Sequence, residues 1–489
     1  MTPARPIPNP HRVAVVGGGI SGLTAAYLLA RARAAGAALE DYLFEAGARL
    51  GGALRTEQLE GCVLEAGADS FLSEKGEALA LCRELGLAER VIGSEDHQRR
   101  TWIVHRGKLL PLPEGMEFFV PTRLRALAGT RLLSWRDKLR LVCEPWARLP
   151  RSFGASQDES VAAFIARHFG RGVLEKIVEP LLAGIYGGDV EQLSARAVLP
   201  RLVEMEQRWG SLVRGRRAAR KERLAAGHKQ EPLLFSALRD GFGELVGALR
   251  QRLSGARVFC QREVVRVTRP YGRPSGRTPA GYRLHFSGAE PLEVDVLVLA
   301  LPAWESARLL RQFDGELASR LAEIPYASSM IVALVYEKAA APDIPRGFGF
   351  LVPKTEGRRL RACTFVGQKF RHRVPPEREL LRCFLGGVGD EGVLELSDEE
   401  AVELARRELQ SILGLTATPR ATRVFRWRKA MAQYTLGHGA RLRAIEGRLR
   451  QHRGLFLAGN AYGGIGVPDC IRSGREAADA CVRMIVPCG

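Results

Sequence analysis

The sequence predicts an α/β protein whose nucleotide-binding domain is discontinuous and Rossmann-like, built from both chain ends around inserted material. Three observations predict it. Val13-Ala14-Val15-Val16 runs into Gly17-Gly18-Gly19-Ile20-Ser21-Gly22 and then an Ala/Leu-rich stretch. Leu455-Phe456-Leu457 runs into Gly459 and the glycine-rich Gly463-Gly464-Ile465-Gly466, and a helical segment follows to Ile485. Between them, residues 296–301 and Pro302 form a buried apolar strand ending in a turn. Such uninterrupted apolar runs suit parallel strands covered on both faces.

At the first junction, Gly17, Gly19 and Gly22 spell G-x-G-x-x-G. The first glycine permits the turn, the second lets backbone approach a pyrophosphate, and the third packs helix on strand. A second strand at 41–44 ends on Glu45, 23 residues past Gly22. That offset suits an acid holding a ribose hydroxyl. The stretch 13–30 carries no charge and follows Arg5, His11 and Arg12, so it also resembles a signal peptide or membrane span. Its four glycines, the missing cleavage pattern and the placed Glu45 favour the nucleotide.

The 489 residues exceed one ordinary core and predict two or three domains. Hydrophobic content of 46% and charged content of 26% are those of a soluble globular chain. Nine scattered cysteines without a C-x-x-C pair read as reduced thiols, which excludes a disulfide framework and predicts no metal site. Net charge is +19, yet only ten of the 73 basic residues are lysines. So arginine-rich a composition weakens the inference from global charge to nucleic acid. The densest basic run, 214–229, lacks interleaved aromatics for base stacking and reads as a solvated loop.

Arg49 to Arg55 encloses Gly51-Gly52, a loop able to press backbone and guanidinium against phosphates. Residues 63–70 read as a short strand entering a small-residue loop. From 76 to 210 the pattern is mainly helical. Between 99 and 151, twelve Lys/Arg face four Asp/Glu, interleaved with Trp102, Phe118, Phe119, Trp135, Trp146 and Phe153. That mixture suits an anionic membrane surface, or ordinary amphipathic packing. Residues 235–253 read as loop and helix. Strands follow at 257–260, 263–268, 282–286 and 294–301, then at 330–336, 347–352 and 380–388 for a second sheet. Residues 398–413 form an amphipathic helix.

The GGGISG, RLGG and AGNAYGGIGVPDC segments resemble flavin-containing amine oxidases. Gly184-Ile185-Tyr186-Gly187-Gly188-Asp189, Gln192-Leu193-Ser194, Gly347 to Pro353 and Gln433-Tyr434-Thr435-Leu436-Gly437-His438 more specifically resemble the oxygen-dependent protoporphyrinogen/coproporphyrinogen oxidase family. The resemblance spans roughly residues 12 to 485. It implies FAD, in an FAD-binding domain with a sheet-containing substrate domain and an inserted helical domain. Expected boundaries are a disordered leader 1–11, FAD-binding parts 12–75, 216–301 (with a loop at 214–232) and 431–489, a helical substrate and membrane-associating domain 76–215, and a substrate-binding domain 302–430.

By the same resemblance, Gly17, Gly18, Gly19, Ile20, Ser21 and Gly22 hold the pyrophosphate, and Glu45 with Ala46 the ribose side. Arg49, Gly51, Gly52 and Ala53 line the phosphates; Gly67, Ala68, Asp69 and Ser70 lie near the flavin. Val264 meets adenine through its backbone, Trp427 lies near the isoalloxazine, and Ile465, Gly466 and Val467 meet its polar edge. The implied reaction takes hydride from a porphyrinogen methylene bridge to FAD and a proton from a pyrrole nitrogen. Dioxygen reoxidises the cofactor to give hydrogen peroxide, over three two-electron rounds. No protein side chain is then a catalytic nucleophile or base. For substrate, Arg100 matches a propionate-pairing arginine, Gly184 a pocket floor, Phe370 a stacking aromatic and Phe384 an apolar wall. The family's aromatic–Pro is Phe370-Arg371 here, in a cationic neighbourhood with Arg358, Arg359, Arg361 and Arg373.

The leading expectation is oxidation of protoporphyrinogen IX to protoporphyrin IX, with coproporphyrinogen III to coproporphyrin III as the alternative. Behind these stand a flavin amine oxidase and a membrane- or nucleic-acid-binding protein with a vestigial flavin fold. Expected partners are porphyrinogen, dioxygen, a membrane surface through helices in 90–210, and a second copy in a homodimer, with no nucleic acid. The expected location is cytoplasmic, peripheral on the membrane face.

Overall fold

The computed structural model describes residues 10–117, 119–121, 124–147, 158–225, 233–270, 281–341 and 343–486. Residues 1–9 of the expected leader, Phe118, Phe153 and 226–232 of the expected loop lie outside them. The leader is corrected at its end, because the first strand already begins at His11.

Five parallel strands form the nucleotide sheet, in the order Arg257–Phe259, Leu39–Phe44, His11–Val16, Val296–Leu299, Leu455–Leu457. Val13 sits opposite Val296 on one side and Asp41 on the other. Because side chains alternate, Val13 and Val15 pack beneath helices Ile20–Ala34 and Val467–Ile485. Ala14 and Val16 face the opposite core, shared with the meander Val264–Thr268, Tyr282–Phe286, Ala289–Val294. The first and last helices touch where Gly474 meets Ser21: a Cβ on Gly474 would stand 2.2 Å from the Ser21 carbonyl oxygen. This close crossing brings the two chain ends into one unit.

A second, seven-stranded sheet runs in the order Ala421–Ala432, Tyr326–Glu337, Arg378–Gly386, Leu360–Phe365, Gly349–Leu351, Thr101–His105, Lys108–Pro111. The last two strands correct the mainly helical reading of 76–210. Strands also occur at Val91–Gly93, Met116–Glu117 and Val120–Pro121. Ile103 and Val104 are fully buried on opposite faces of this sheet's edge, a β pattern that the surrounding arginines obscured. Phe235–Leu238 is likewise a strand, where loop was expected.

Helices from Trp135 to Ala225 form a layer around Phe164, Phe169, Val173, Ile177 and Leu212. The basic run expected as loop is helical over Leu212–Ala225. Arg, Ala, Lys and Leu are strong helix formers, and buried Leu212, Val213 and Gly215 give the helix an inner face. The eight described cysteines are free thiols. Among the described residues no helix is long and apolar enough to cross a membrane.

Within this layer the fully buried His168 bridges two carboxylates. Its Nδ1 lies 2.9 Å from Glu144 and its Nε2 3.2 Å from Glu206, which also pairs Arg167. Burial alone would lower the His168 pKa; the two carboxylates override it and raise the pKa above its ordinary value. The imidazolium therefore stabilises the layer fully below about pH 6.5, and that contribution fades as pH rises through the raised folded pKa. Melting temperature of the wild type should fall between pH 6 and 9, while His168→Gln should be less stable at pH 6 and flatter across that range. Equal pH slopes in a calorimetric series would refute this.

Candidate active site

The two sheets and the helical layer enclose a cavity of about 2650 Å³. The glycine loops expected to hold the nucleotide have a tightly constrained backbone. Gly17 has φ +106°, and a Cβ there would stand 2.3 Å from the Ala300 carbonyl oxygen. A Cβ on Gly22 would stand 1.8 Å from the Gly17 oxygen, so both positions require glycine. Gly19 differs: a Cβ there meets nothing within 4 Å. Helix Ile20–Ala34 starts at Gly19 without a side-chain cap, so no side chain at its start satisfies its first N–H groups.

The Gly51 N–H donates to the Gly18 carbonyl at 2.8 Å, laying the second glycine loop against the first. Arg49 directs its guanidinium to the carbonyls of Leu50, Leu54 and Gly52, so it braces this loop. Glu45 accepts from Gly18 N–H at 2.8 Å and Gly47 N–H at 2.7 Å, at the end of the second strand where a ribose would lie. Exposed Ala46 follows it. Arg262 N–H donates to the Glu45 carbonyl at 2.9 Å, which draws the strand starting at Val264 to the same end.

Ala53, Gly67, Ala68, Asp69, Ser70, Trp427, Ile465, Gly466 and Val467 all line the cavity. Trp427 Nε1 donates to the Ala66 carbonyl at 2.7 Å, tying the second sheet to the Gly67–Ser70 loop. Asp69 anchors a buried charge cluster. Lys369 Nζ lies 3.1 Å from both its oxygens and 2.9 Å from Ser70 Oγ; Arg382 lies 3.3 Å away and also donates to the Gly67 carbonyl at 2.6 Å. Arg373 bonds the Asp69 carbonyl and pairs Glu65. Burial would raise the Asp69 pKa, but Lys369 and Arg382 hold it well below the usual carboxylate range. Burial pushes the Lys369 pKa down, against the pull of Asp69.

Of the expected substrate residues, Arg100, Gly184 and Phe384 line the cavity. Arg100 is exposed, its guanidinium carbon 5.6 Å from the Trp102 ring centre. A Cβ on Gly184 would meet only Leu351, at 3.5 Å. Phe370 is a correction. It is 1% exposed, packs with Ile92 and Ala237 beneath Arg373, and does not line the cavity. The turn Val366–Lys369 instead presents its last residue, Lys369, to the cavity, because Asp69 captures the ammonium while the ring takes an apolar niche. Residue reading missed Lys369 and Arg382. The signal for Arg382 was present, as one charge inside the apolar run Leu380-Leu381-Arg382-Cys383-Phe384-Leu385.

Among the described residues, fifteen lysines and arginines line the cavity against six acids. A phosphate cradle opening beside a large, partly apolar, positively charged chamber is the layout of a flavin-dependent oxidoreductase. The open space at Gly19, the uncapped helix and the two interlocked glycine loops fit FAD. The chain belongs to the flavin-containing amine oxidoreductase family, whose model matches residues 20–482, and FAD is its cofactor.

Similar proteins include the coproporphyrinogen III oxidases of Bacillus subtilis (29% identical, covering 95% of this chain and 96% of that one) and Mycobacterium tuberculosis (32%, 98% and 98%). Protoporphyrinogen oxidase 1 of spinach chloroplasts is 28% identical over 95% of this chain and 83% of its own. An Exiguobacterium structure, provisionally assigned as a protoporphyrinogen oxidase, superposes with a TM-score of 0.84 at 29% identity, covering 97% and 99% of the two chains. A putrescine oxidase shares the fold at 18% identity and a TM-score of 0.68, covering 97% and 99%.

Proposed function

We propose that this protein oxidises coproporphyrinogen III to coproporphyrin III, consuming three dioxygen and releasing three hydrogen peroxide. The observation that carries the choice is the cationic lining, fifteen basic residues against six acids, which suits a tetracarboxylate better than a dicarboxylate. The coproporphyrinogen III oxidases among the similar proteins support it. This reverses the order expected from sequence. Oxidation of protoporphyrinogen IX is the second reading, favoured by the likeness to the spinach enzyme.

Bound FAD supplies the hydride acceptor; the chain's own groups position and shield. Arg100 pairs a propionate, and Gly184 leaves the macrocycle room beside Leu351. Phe348, Phe350 and Phe384 offer apolar wall. Lys369 and Arg382 hold Asp69 well below the usual carboxylate range, which makes it a weak acceptor for the pyrrole proton. Lys369 and Arg382 form a fixed cationic edge beside the loop that holds the flavin.

Purified protein should be assayed aerobically by porphyrin fluorescence on each porphyrinogen. A kcat/KM at least tenfold higher for the four-carboxylate substrate is expected; a preference for protoporphyrinogen overturns the choice, and peroxide release from polyamines alone overturns the reaction class. Membrane contact belongs to the same proposal. Trp135, Leu139 and Trp146 are 76%, 53% and 73% exposed, the first two one helical turn apart among Arg136, Lys138 and Arg140. Co-sedimentation with anionic but not neutral vesicles, lost in Trp135→Ser/Leu139→Ser, is the expected result.

A further inference from the structure

The shielded arginines of this chain usually have acidic partners. Arg33 pairs Asp41, Arg358 pairs Glu408, Arg373 pairs Glu65 and Arg382 pairs Asp69. Arg196 departs from this. It is half-buried, lines the cavity, and has no hydrogen bond, ion pair or ring contact among the described residues. A half-shielded guanidinium without an anion forgoes the interaction that its fork geometry favours.

Its backbone is pinned. Arg196 lies on the short helix Ala195–Val198, where Ser194 Oγ accepts from Ala197 N–H at 3.1 Å. Ser194 N–H donates to the Tyr434 carbonyl at 2.8 Å, and Ala195 N–H to the Glu159 carbonyl at 2.9 Å. Asp158 accepts from Ser194 Oγ at 2.6 Å through one oxygen and from Gly437 N–H at 2.9 Å through the other. The same carboxylate thereby fixes the start of helix His438–Leu449, whose exposed Arg443 also lines the cavity with no partner among the described residues. Both Asp158 oxygens are engaged by these neutral donors.

This wall is separate from that of Arg100. Arg100 precedes the strand Thr101–His105, next to the edge of the seven-stranded sheet, and its carbonyl accepts from Phe348 N–H. Arg196 stands instead at the junction of the helical layer with the Tyr434–His438 segment. A ligand reaching both walls must carry anionic groups on two edges.

We infer that Arg196, assisted by Arg443, reads a second set of substrate carboxylates and so selects a tetracarboxylate macrocycle over a dicarboxylate one; this rests on the porphyrinogen oxidation proposed above. A propionate on the far edge of the ring accepts a bidentate pair from the Arg196 guanidinium, and a vinyl group at that position cannot.

The test uses the FAD-loaded full chain and the variants Arg196→Gln, Arg196→Lys and Arg196→Gln/Arg443→Gln. Flavin absorbance per protein monitors folding, and equilibrium binding of coproporphyrin III and protoporphyrin IX is followed by porphyrin absorbance. Arg196→Gln should weaken coproporphyrin binding at least tenfold and lower kcat/KM for coproporphyrinogen mainly through KM. Protoporphyrin binding and turnover should stay within twofold. Arg196→Lys should recover only part of the loss, since an ammonium lacks the fork, and the double variant should lose more. Equal losses on both porphyrins, or a wild-type coproporphyrin affinity in Arg196→Gln, overturn the inference while leaving the reaction intact. A wild type that oxidises neither porphyrinogen removes the proposed function itself.

Discussion

Gly22→Val should purify without flavin absorbance, or fail to accumulate as folded protein, while Gly19→Ala should fold and lose only cofactor affinity. The contrast follows from where each Cβ would go. On Gly22 it would stand 1.8 Å from the Gly17 carbonyl oxygen and 3.1 Å from the Ala300 side chain. Relief requires helix Ile20–Ala34 to back away from the central strands, against a core in which Val13, Val15, Leu23 and Leu29 are fully buried. Overpacking against fixed backbone costs roughly 1–3 kcal/mol or more, and valine adds poor helix propensity. On Gly19 the methyl meets nothing within 4 Å and enters the space left for phosphate. Apo melting temperature should therefore change little while FAD binds at least tenfold more weakly. Titration of apoprotein with FAD, beside a melting curve for each variant, separates the two effects. Normal FAD binding by Gly19→Ala would refute the cradle.

Asp69→Leu should destabilise the protein by about 3–5 kcal/mol, the range for removing one partner from a buried ion pair. Lys369 and Arg382 are 8% and 1% exposed, and both rely on this carboxylate. The wild-type contribution of Asp69 is present above the ordinary aspartate pKa and lost only as pH falls through its strongly depressed folded value. The deficit of the variant should thus persist unchanged from pH 5 to 8. Adding Lys369→Met to Asp69→Leu should recover a substantial part of the loss, since one uncompensated charge is removed. Additive losses in denaturant titrations of the two singles and the double would show that Asp69 and Lys369 act independently.

Legibility in the sequence depended on range. The glycine junctions, Glu45 and the strands around 296–301 were readable because their demands are local: a turn, a close approach, an acid at the end of a strand. The strands Thr101–His105 and Lys108–Pro111 were not, because arginines and tryptophan beside Ile103 and Val104 imitated an amphipathic helix surface. Helix Leu212–Ala225 was misread for a related reason. A run of positive charge looks solvated, yet its residues favour helix and it needs only Leu212, Val213 and Gly215 to dock.

The neighbours Phe370 and Lys369 show the boundary most sharply. A motif can name the aromatic, but which of two adjacent residues faces the cavity depends on Asp69, three hundred positions away, and on the niche offered by Ile92 and Ala237. By itself the sequence determined the glycine-rich strand–helix junctions, the joining of the chain ends and the family, since each is written in short contiguous motifs. Only the tertiary structure decided the charge lining of the cavity, the burial of Phe370 and the unpartnered state of Arg196. Each of those is a sum over elements brought together by packing, and such a sum has no counterpart in any short stretch of sequence.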